Sequence, residues 1–311
     1  MTRLAVRGGV QYALPGTGVL GQARDLYSGG VRGWGGPVVL SVRQTDTSPS
    51  LRAAVGADRL LPGPSTSDNL CRVPDAHFAE PRLADLYDPL DPDRGDLAAY
   101  VAIADEFDAL TVLDIGCGTG TLACLLAQRA KDVTGVDPAA ASPEVARRKP
   151  YADRVRWILG DCTACPALQV DKATMTGNVA QVFLTDEDWM ATLSAARNAM
   201  RPGGLLVFES RDPARQEWRE WTGEHREVEL PQVGTVETWG DLVEVNMPFV
   251  SFRTTFVFAS DGAIFTSDST LRFRESAEVM ESLHTAGFVL RGVRDAPDRP
   301  GREFVFMASA S

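Results

Sequence analysis

The stretch VLDIGCGTG, Val112 to Gly120, joins a short apolar strand to a helix through three glycines on alternate positions, with an acidic residue near the strand's end. A backbone without Cβ atoms can turn sharply and let a ligand approach the main chain at the carboxyl edge of a sheet, where open α/β folds bind their ligands. A dinucleotide turn requires G-x-G-x-x-G, so that a pyrophosphate can sit on the following helix N-terminus. Here the third glycine comes one residue early, at Gly116, Gly118 and Gly120, and Thr121 stands where the dinucleotide pattern needs glycine. Asp114, two residues before the first glycine, suits a ligand carrying positive groups better than one carrying a pyrophosphate.

Working outward, strands and helices alternate. Strands are expected at Thr111 to Ile115, Asp132 to Asp137, Val155 to Asp161, Lys172 to Asn178 and Gly203 to Ser210. Between them the 3.6-residue period predicts helices over Gly120 to Arg129, Pro143 to Arg148 and Asp186 to Met200, the last capped by Thr185. Such alternation implies a doubly wound α/β fold with a mostly parallel sheet. The pattern breaks after Arg211. Apolar, β-branched and aromatic runs with a strong hairpin signal at Asp261-Gly262 predict an inserted antiparallel ribbon of three or four strands, over about 222–274. A helix from Glu275 to Ala286, ended by Gly287, then leads to two closing strands, Phe288 to Arg294 and Glu303 to Ala308. Joined by a short turn, these two must be antiparallel to each other, which completes a seven-stranded sheet. Upstream, residues 73–109 predict two short helices separated by an Asp-Pro turn at Asp88 to Pro92.

The run Asp114-Ile-Gly116-Cys117-Gly118-Thr-Gly120 resembles the first motif of the class I S-adenosylmethionine-dependent methyltransferases, and the resemblance extends from about Phe78 onward. It implies a Rossmann-like methyltransferase domain over 110–311 and S-adenosylmethionine as the cofactor. Position by position, it implies that the backbone of Gly116, Cys117, Gly118 and Gly120 runs along the methionine part and that Asp114 lies near its ammonium. Asp137, 17 residues after Gly120 and followed by Pro138 where the family often has a small polar residue, would bind the ribose hydroxyls. Asp161, ending the third strand, would face the adenine amino group, with Cys162 beside the ring. Asn178 falls where the family places residues facing the substrate or flanking the methyl group, and Tyr87 could close over the methionine end. Each also has a plainer account: Asp and Asn cap turns and helices, and Tyr87 suits a half-buried helix face. Three acidic residues ending three successive strands are harder to explain as turn formers.

No catalytic residue is obligatory for displacement at a sulfonium methyl, because orientation in a dry pocket supplies much of the rate. For an acceptor that must lose a proton, His225 and Asn178 are weak candidates for help in catalysis. The ribbon is expected over the carboxyl end of the sheet, with the N-terminal helices closing the opposite side. Trp189, Trp218, Trp221, Phe249 and Phe252 either line the resulting pocket or pack the ribbon on the domain. Cys162 and Cys165 form one C-x-x-C pair without a second, and His77, His225 and His284 are dispersed, so no metal site is expected.

Composition bounds the function. The chain has 311 residues, a formal net charge of −11 and a pI near 4.8, which argues against holding DNA through a broad basic surface and favours a small-molecule acceptor. Five cysteines and no span of about 20 apolar residues suggest a reducing, cytoplasmic setting away from membranes. Residues 1–72, rich in Gly, Pro, Ser and Arg and without Lys, Glu, Phe or Ile, read as a disordered extension or a mis-assigned start. Two other functions compete with methyl transfer: non-catalytic binding of S-adenosylmethionine or S-adenosylhomocysteine, and NAD(P)-dependent oxidoreduction. Oligomeric state is not legible.

Overall fold

The computed structural model describes residues 74–223 and 225–311, so the expectation for residues 1–72 lies outside the described residues. Among the described residues, eleven strands fall into two sheets. The main sheet holds β1 (Thr111–Ile115), β2 (Asp132–Asp137), β3 (Val155–Leu159), β4 (Val170–Met175), β5 (Met200–Arg211), β10 (Phe288–Asp295) and β11 (Glu303–Ala310). Their order is β10-β11-β5-β4-β1-β2-β3. The first five run parallel, while β11 is antiparallel to both β5 and β10. The doubly wound, mostly parallel, seven-stranded sheet with an antiparallel closing pair is therefore as expected.

The central strands are apolar on both sides because both faces are covered. On one face α4 (Leu97–Glu106) and α5 (Thr121–Gln128) pack Tyr100, Val101, Leu122 and Leu126 against Val112, Val207 and Val305. On the other, α7 (Asp186–Ala199) and α8 (Ser276–Thr285) pack Trp189, Leu193 and Leu283 against Met175, Phe208 and Phe306. Thr185 caps α7 by accepting from the Asp188 N–H at 3.1 Å. Gly287, at φ +83°, turns the chain out of α8 as foreseen. A further one-and-a-half-turn helix, α6 (Ala141–Ala146), begins two residues earlier than the sequence suggested.

The insert is a four-stranded antiparallel sheet, β6 (Arg226–Leu230), β7 (Gly234–Asn246), β8 (Phe249–Phe258) and β9 (Ile264–Arg272). Its β8–β9 hairpin turns at Asp261-Gly262, with Gly262 at φ +71°. Two expectations are corrected. Upstream of α4 lie three single-turn helices, α1 (Ala76–Ala79), α2 (Pro81–Ala84) and α3 (Tyr87–Leu90), and Asp88-Pro89 sits inside α3 rather than in a turn. Proline is tolerated there because first-turn N–H groups have no intrahelical partner. Second, these helices and the ribbon do not close opposite sides of the site. Leu83, Leu86 and Leu90 share one apolar cluster with Leu230, Val236, Phe256 and Phe258, so the two segments form a single cover.

Candidate functional site

The cover sits on the carboxyl edge of the parallel strands, and the loops that leave that edge after β1, β2 and β4 are tied to it. Asp88 of α3 accepts from Thr119 Oγ1 at 2.8 Å and Thr121 Oγ1 at 3.2 Å, on either side of Gly120, and pairs with Lys149 Nζ at 2.6 Å. Ser142, after β2, donates to the Phe78 carbonyl at 2.9 Å. After β4, the carbonyls of Phe183 and Leu184 accept from Arg274 at 2.8 Å and Arg272 at 3.0 Å, which bracket the end of the ribbon.

Within this edge the glycine turn takes a left-handed course, with Gly116 at φ +68°, Gly118 at +52° and Gly120 at +74°. The three are not equivalent. A Cβ on Gly116 would lie 2.6 Å from Val179, and one on Gly120 would lie 2.4 Å from Trp157 and 2.7 Å from Ala146. At Gly118 a Cβ would meet nothing within 4 Å. Gly116 and Gly120 thus answer to packing, and Gly118 is the point at which bare backbone faces open space.

Asp114 and Asp137 end neighbouring parallel strands on the two sides of this turn. Asp114 is buried; its Oδ1 accepts from Thr174 Oγ1 at 3.0 Å, and among the described residues it makes no ion pair. Burial pushes its carboxyl up to about 7. Asp137 accepts from the Gly118 N–H at 2.9 Å and the Ala139 N–H at 2.8 Å; burial raises its pKa while these two N–H groups oppose the rise. Each of its oxygens retains a free lone pair. Asp161 follows β3 and accepts from the Thr163 N–H at 2.8 Å, with Cys162 buried beside it. Cys117 is buried against the Cα of Gly135, and Pro138 is exposed. Tyr87, next to Asp88, stands in a ring cluster with His77 and Phe78, and burial raises its hydroxyl pKa.

Asn178, at φ +61°, begins the turn after β4. Its N–H donates to Glu209 Oε1 at 3.0 Å and its Nδ2 to Glu303 Oε1 at 3.2 Å, while its Oδ1 is buried without a partner among the described residues. Glu209 Oε2 accepts from the Tyr100 hydroxyl, and burial lifts Glu209 to about 7. Glu303 pairs with Arg299 and lies 3.5 Å from Arg211 Nε, which in turn pairs with Glu217 at 3.2 Å.

Sequence reasoning missed Asp88, Lys149, Glu209 and Glu303. The last two carried a signal, since a carboxylate at the tip of an apolar strand was the very feature that singled out Asp161. His225 is corrected: it is exposed, bonded through Nδ1 to Glu237 at 2.8 Å and stacked on Trp239 at 4.3 Å, on the outer side of the ribbon. Trp189 is also corrected, being a core residue of the main domain whose Nε1 donates to Ser282. Trp218 packs edge-on against Phe273 and Trp221 against Phe252, so these rings join the ribbon to the domain. No group of three or more His, Cys, Asp or Glu able to hold a metal ion is found among the described residues.

The residues present fit an adenosyl sulfonium compound. Gly118 leaves its backbone uncovered, Asp114 is a buried carboxylate without an ion pair among the described residues, and three carboxylates on adjacent strand ends oppose a pyrophosphate. Strand order, glycine turn and strand-end carboxylates define the class I methyltransferase fold. Comparison with known proteins agrees: residues 112–204 match a family described as methyltransferase domain. The cypemycin N-terminal methyltransferase of a Streptomyces species is 31% identical over 46% of this chain and 57% of its own length. A ubiquinone biosynthesis O-methyltransferase of Idiomarina loihiensis is 32% identical over 34% of this chain and 44% of its own. The chain thus spans about half the length of these curated relatives. Among solved structures, an S-adenosylmethionine-dependent methyltransferase of Clostridium acetobutylicum superposes with a TM-score of 0.60 at 16% identity, covering 74% of this chain and 98% of the other. The sugar N-methyltransferase KedS8 of a Streptoalloteichus species gives 0.61 at 18%, covering 82% and 99%. The fold is that of the class I S-adenosylmethionine-dependent methyltransferases, and residues 112–204 match a methyltransferase domain.

Proposed function

We propose that this protein transfers a methyl group from S-adenosylmethionine to an oxygen or nitrogen of a small-molecule acceptor. The observation that carries the reading is the convergence of Asp114, Asp137 and Asp161 on one sheet edge around the uncovered backbone of Gly118. Asp137 would hold the ribose diol with its remaining lone pairs, Asp161 and Cys162 the adenine, and Asp114 the ammonium. Gly116, Cys117, Gly118 and Gly120 would run along the methionine part, and Pro138 would flank the ribose. The cofactor supplies an electrophilic methyl on a good leaving group. The chain's own residues do the rest: the loops orient the acceptor, and the cover of α1–α3 and ribbon excludes water.

Calorimetry with S-adenosylhomocysteine tests the assignment. Replacing Asp137 with Ala removes two charge-assisted bonds, at about 1.5–3 kcal/mol each, and should weaken binding by about 100-fold or more. Binding of NAD in preference to S-adenosylhomocysteine, or an unchanged affinity in D137A, would overturn it.

A further inference from the structure

At the tips of β4, β5 and β11 three buried carboxylates, Glu209, Glu217 and Glu303, meet three guanidinium groups, Arg211, Arg299 and Arg302. All three cations pair with Glu217 or Glu303. Glu209 makes no ion pair among the described residues; its two oxygens accept from a neutral phenol, Tyr100, and a neutral peptide N–H, that of Asn178. A buried carboxylate so placed either holds a proton or receives a cation. Beside it, in one turn of chain, are two buried polar atoms without partners among the described residues: Asn178 Oδ1, an acceptor, and Gln181 Nε2, a donor. Their orientations are fixed from behind. The Glu303 carboxylate can only accept, which turns Asn178 Nδ2 towards it, and Arg211 Nη1 can only donate, which turns Gln181 Oε1 towards it at 3.0 Å. A ligand complementary to this corner brings a positively charged donor and, next to it, an oxygen.

Resting on the methyltransferase reading above, we propose that the acceptor is an amine with a neighbouring hydroxyl or carbonyl oxygen, bound between Glu209 and Asn178 Oδ1, and that Glu209 takes the proton that must leave nitrogen. The steps balance. The ammonium gives one proton to the Glu209 carboxylate and becomes a neutral amine. The nitrogen lone pair then forms the new N–C bond as the C–S bond breaks, its electrons remaining on sulfur, which leaves as a neutral thioether. The proton on Glu209 passes to solvent when the products depart, restoring the carboxylate. Glu303, Arg299 and Asp298 face Glu209 from β11 and the turn before it, and Tyr100 from α4; Glu303 is the like charge that, after burial, does most to hold Glu209 poised to accept a proton. The net charge of −11 also draws cationic acceptors rather than anionic ones.

The test uses S-adenosylmethionine labelled with carbon-13 in the methyl group, a bacterial metabolite extract and the full-length chain, with the labelled product read by NMR. Label on nitrogen is expected; label on oxygen or carbon overturns the amine assignment while leaving methyl transfer intact. Failure to bind S-adenosylhomocysteine, or binding without any labelled product, overturns both. Glu209→Gln should bind S-adenosylhomocysteine within about twofold of wild type yet transfer label about 100-fold more slowly at neutral pH. It should regain rate by about tenfold per pH unit in alkali, where the amine sheds its proton to water, a recovery that a misfolded variant cannot give. Without turnover, difference infrared titration should show two buried carboxyls, Asp114 and Glu209, losing their protons near neutral pH in wild type, and E209Q should keep only the Asp114 share of that signal. A variant with the wild-type pH profile and band would overturn the role of Glu209.

Discussion

Asp114 gives the residue scale its clearest consequence. Its carboxyl rises from 3.8 to about 7 through burial, opposed by Thr174 and by the charge of Lys172, with Asp137 and Arg94 also in its field. A carboxyl whose pKa is raised on folding binds its proton more tightly folded than unfolded. Stability of the ligand-free protein should therefore fall as pH rises from about 4 to about 7, then level off. Glu209 contributes with the same sign. Binding of the cofactor's ammonium should strengthen over the same window, since only ionised Asp114 attracts it. Urea midpoints and calorimetric affinities at about pH 5 and about pH 8 check this, with Asp114→Asn expected to lose part of the first slope and most of the second. Identical profiles in the variant would remove Asp114 from the site. That Asp114, Asp137 and Asp161 were legible in the sequence follows from position alone, because parallel strands deliver their tips to one edge. Asp88 was not, and Glu209 and Glu303 were marked only as strand-tip carboxylates, since the three acquire their roles from partners 31, 109 and 125 residues away.

Elements divide into those that hold the turn and those that cover it. Gly120→Ala forces a left-handed residue against Trp157 and Ala146, adding about 1–3 kcal/mol of overpacking to about 1–2 kcal/mol of backbone strain. Gly118→Ala bears only the strain but places a methyl where the cofactor backbone contact is assigned. Thermal denaturation should show the larger loss for G120A, and S-adenosylhomocysteine affinity should show the larger loss per unit of stability for G118A. The reverse ranking would contradict the division. In the cover, Leu86 is fully buried between α2 and the ribbon cluster, so Leu86→Ala should cost about 2–5 kcal/mol locally. Hydrogen exchange should then rise together in α1–α3 and in β6–β8 while β1–β4 stay protected. Loosening of the helices alone would show that the two segments are not one cover. The strands of the ribbon were readable from their alternation and the Asp261-Gly262 turn. Their partnership with Leu83, Leu86 and Leu90 was not, because an apolar helix face does not announce what it will meet.

For the whole molecule, the parallel strands and the antiparallel closing pair followed from alternation of strand and helix and from the short link between β10 and β11, whereas the order of the seven strands and the seating of the cover came from the structure. One consequence of that topology concerns synthesis. β11 lies between β5 and β10, yet it is made after both. A ribosome will have finished everything through β10 while a slot one strand wide still separates β10 from β5, with Phe208 unable to stack on Phe306. β10 must wait for β11 to emerge from the exit tunnel and slide in edgewise, so nascent chains stalled before Glu303 are the ones that chaperones should be found holding.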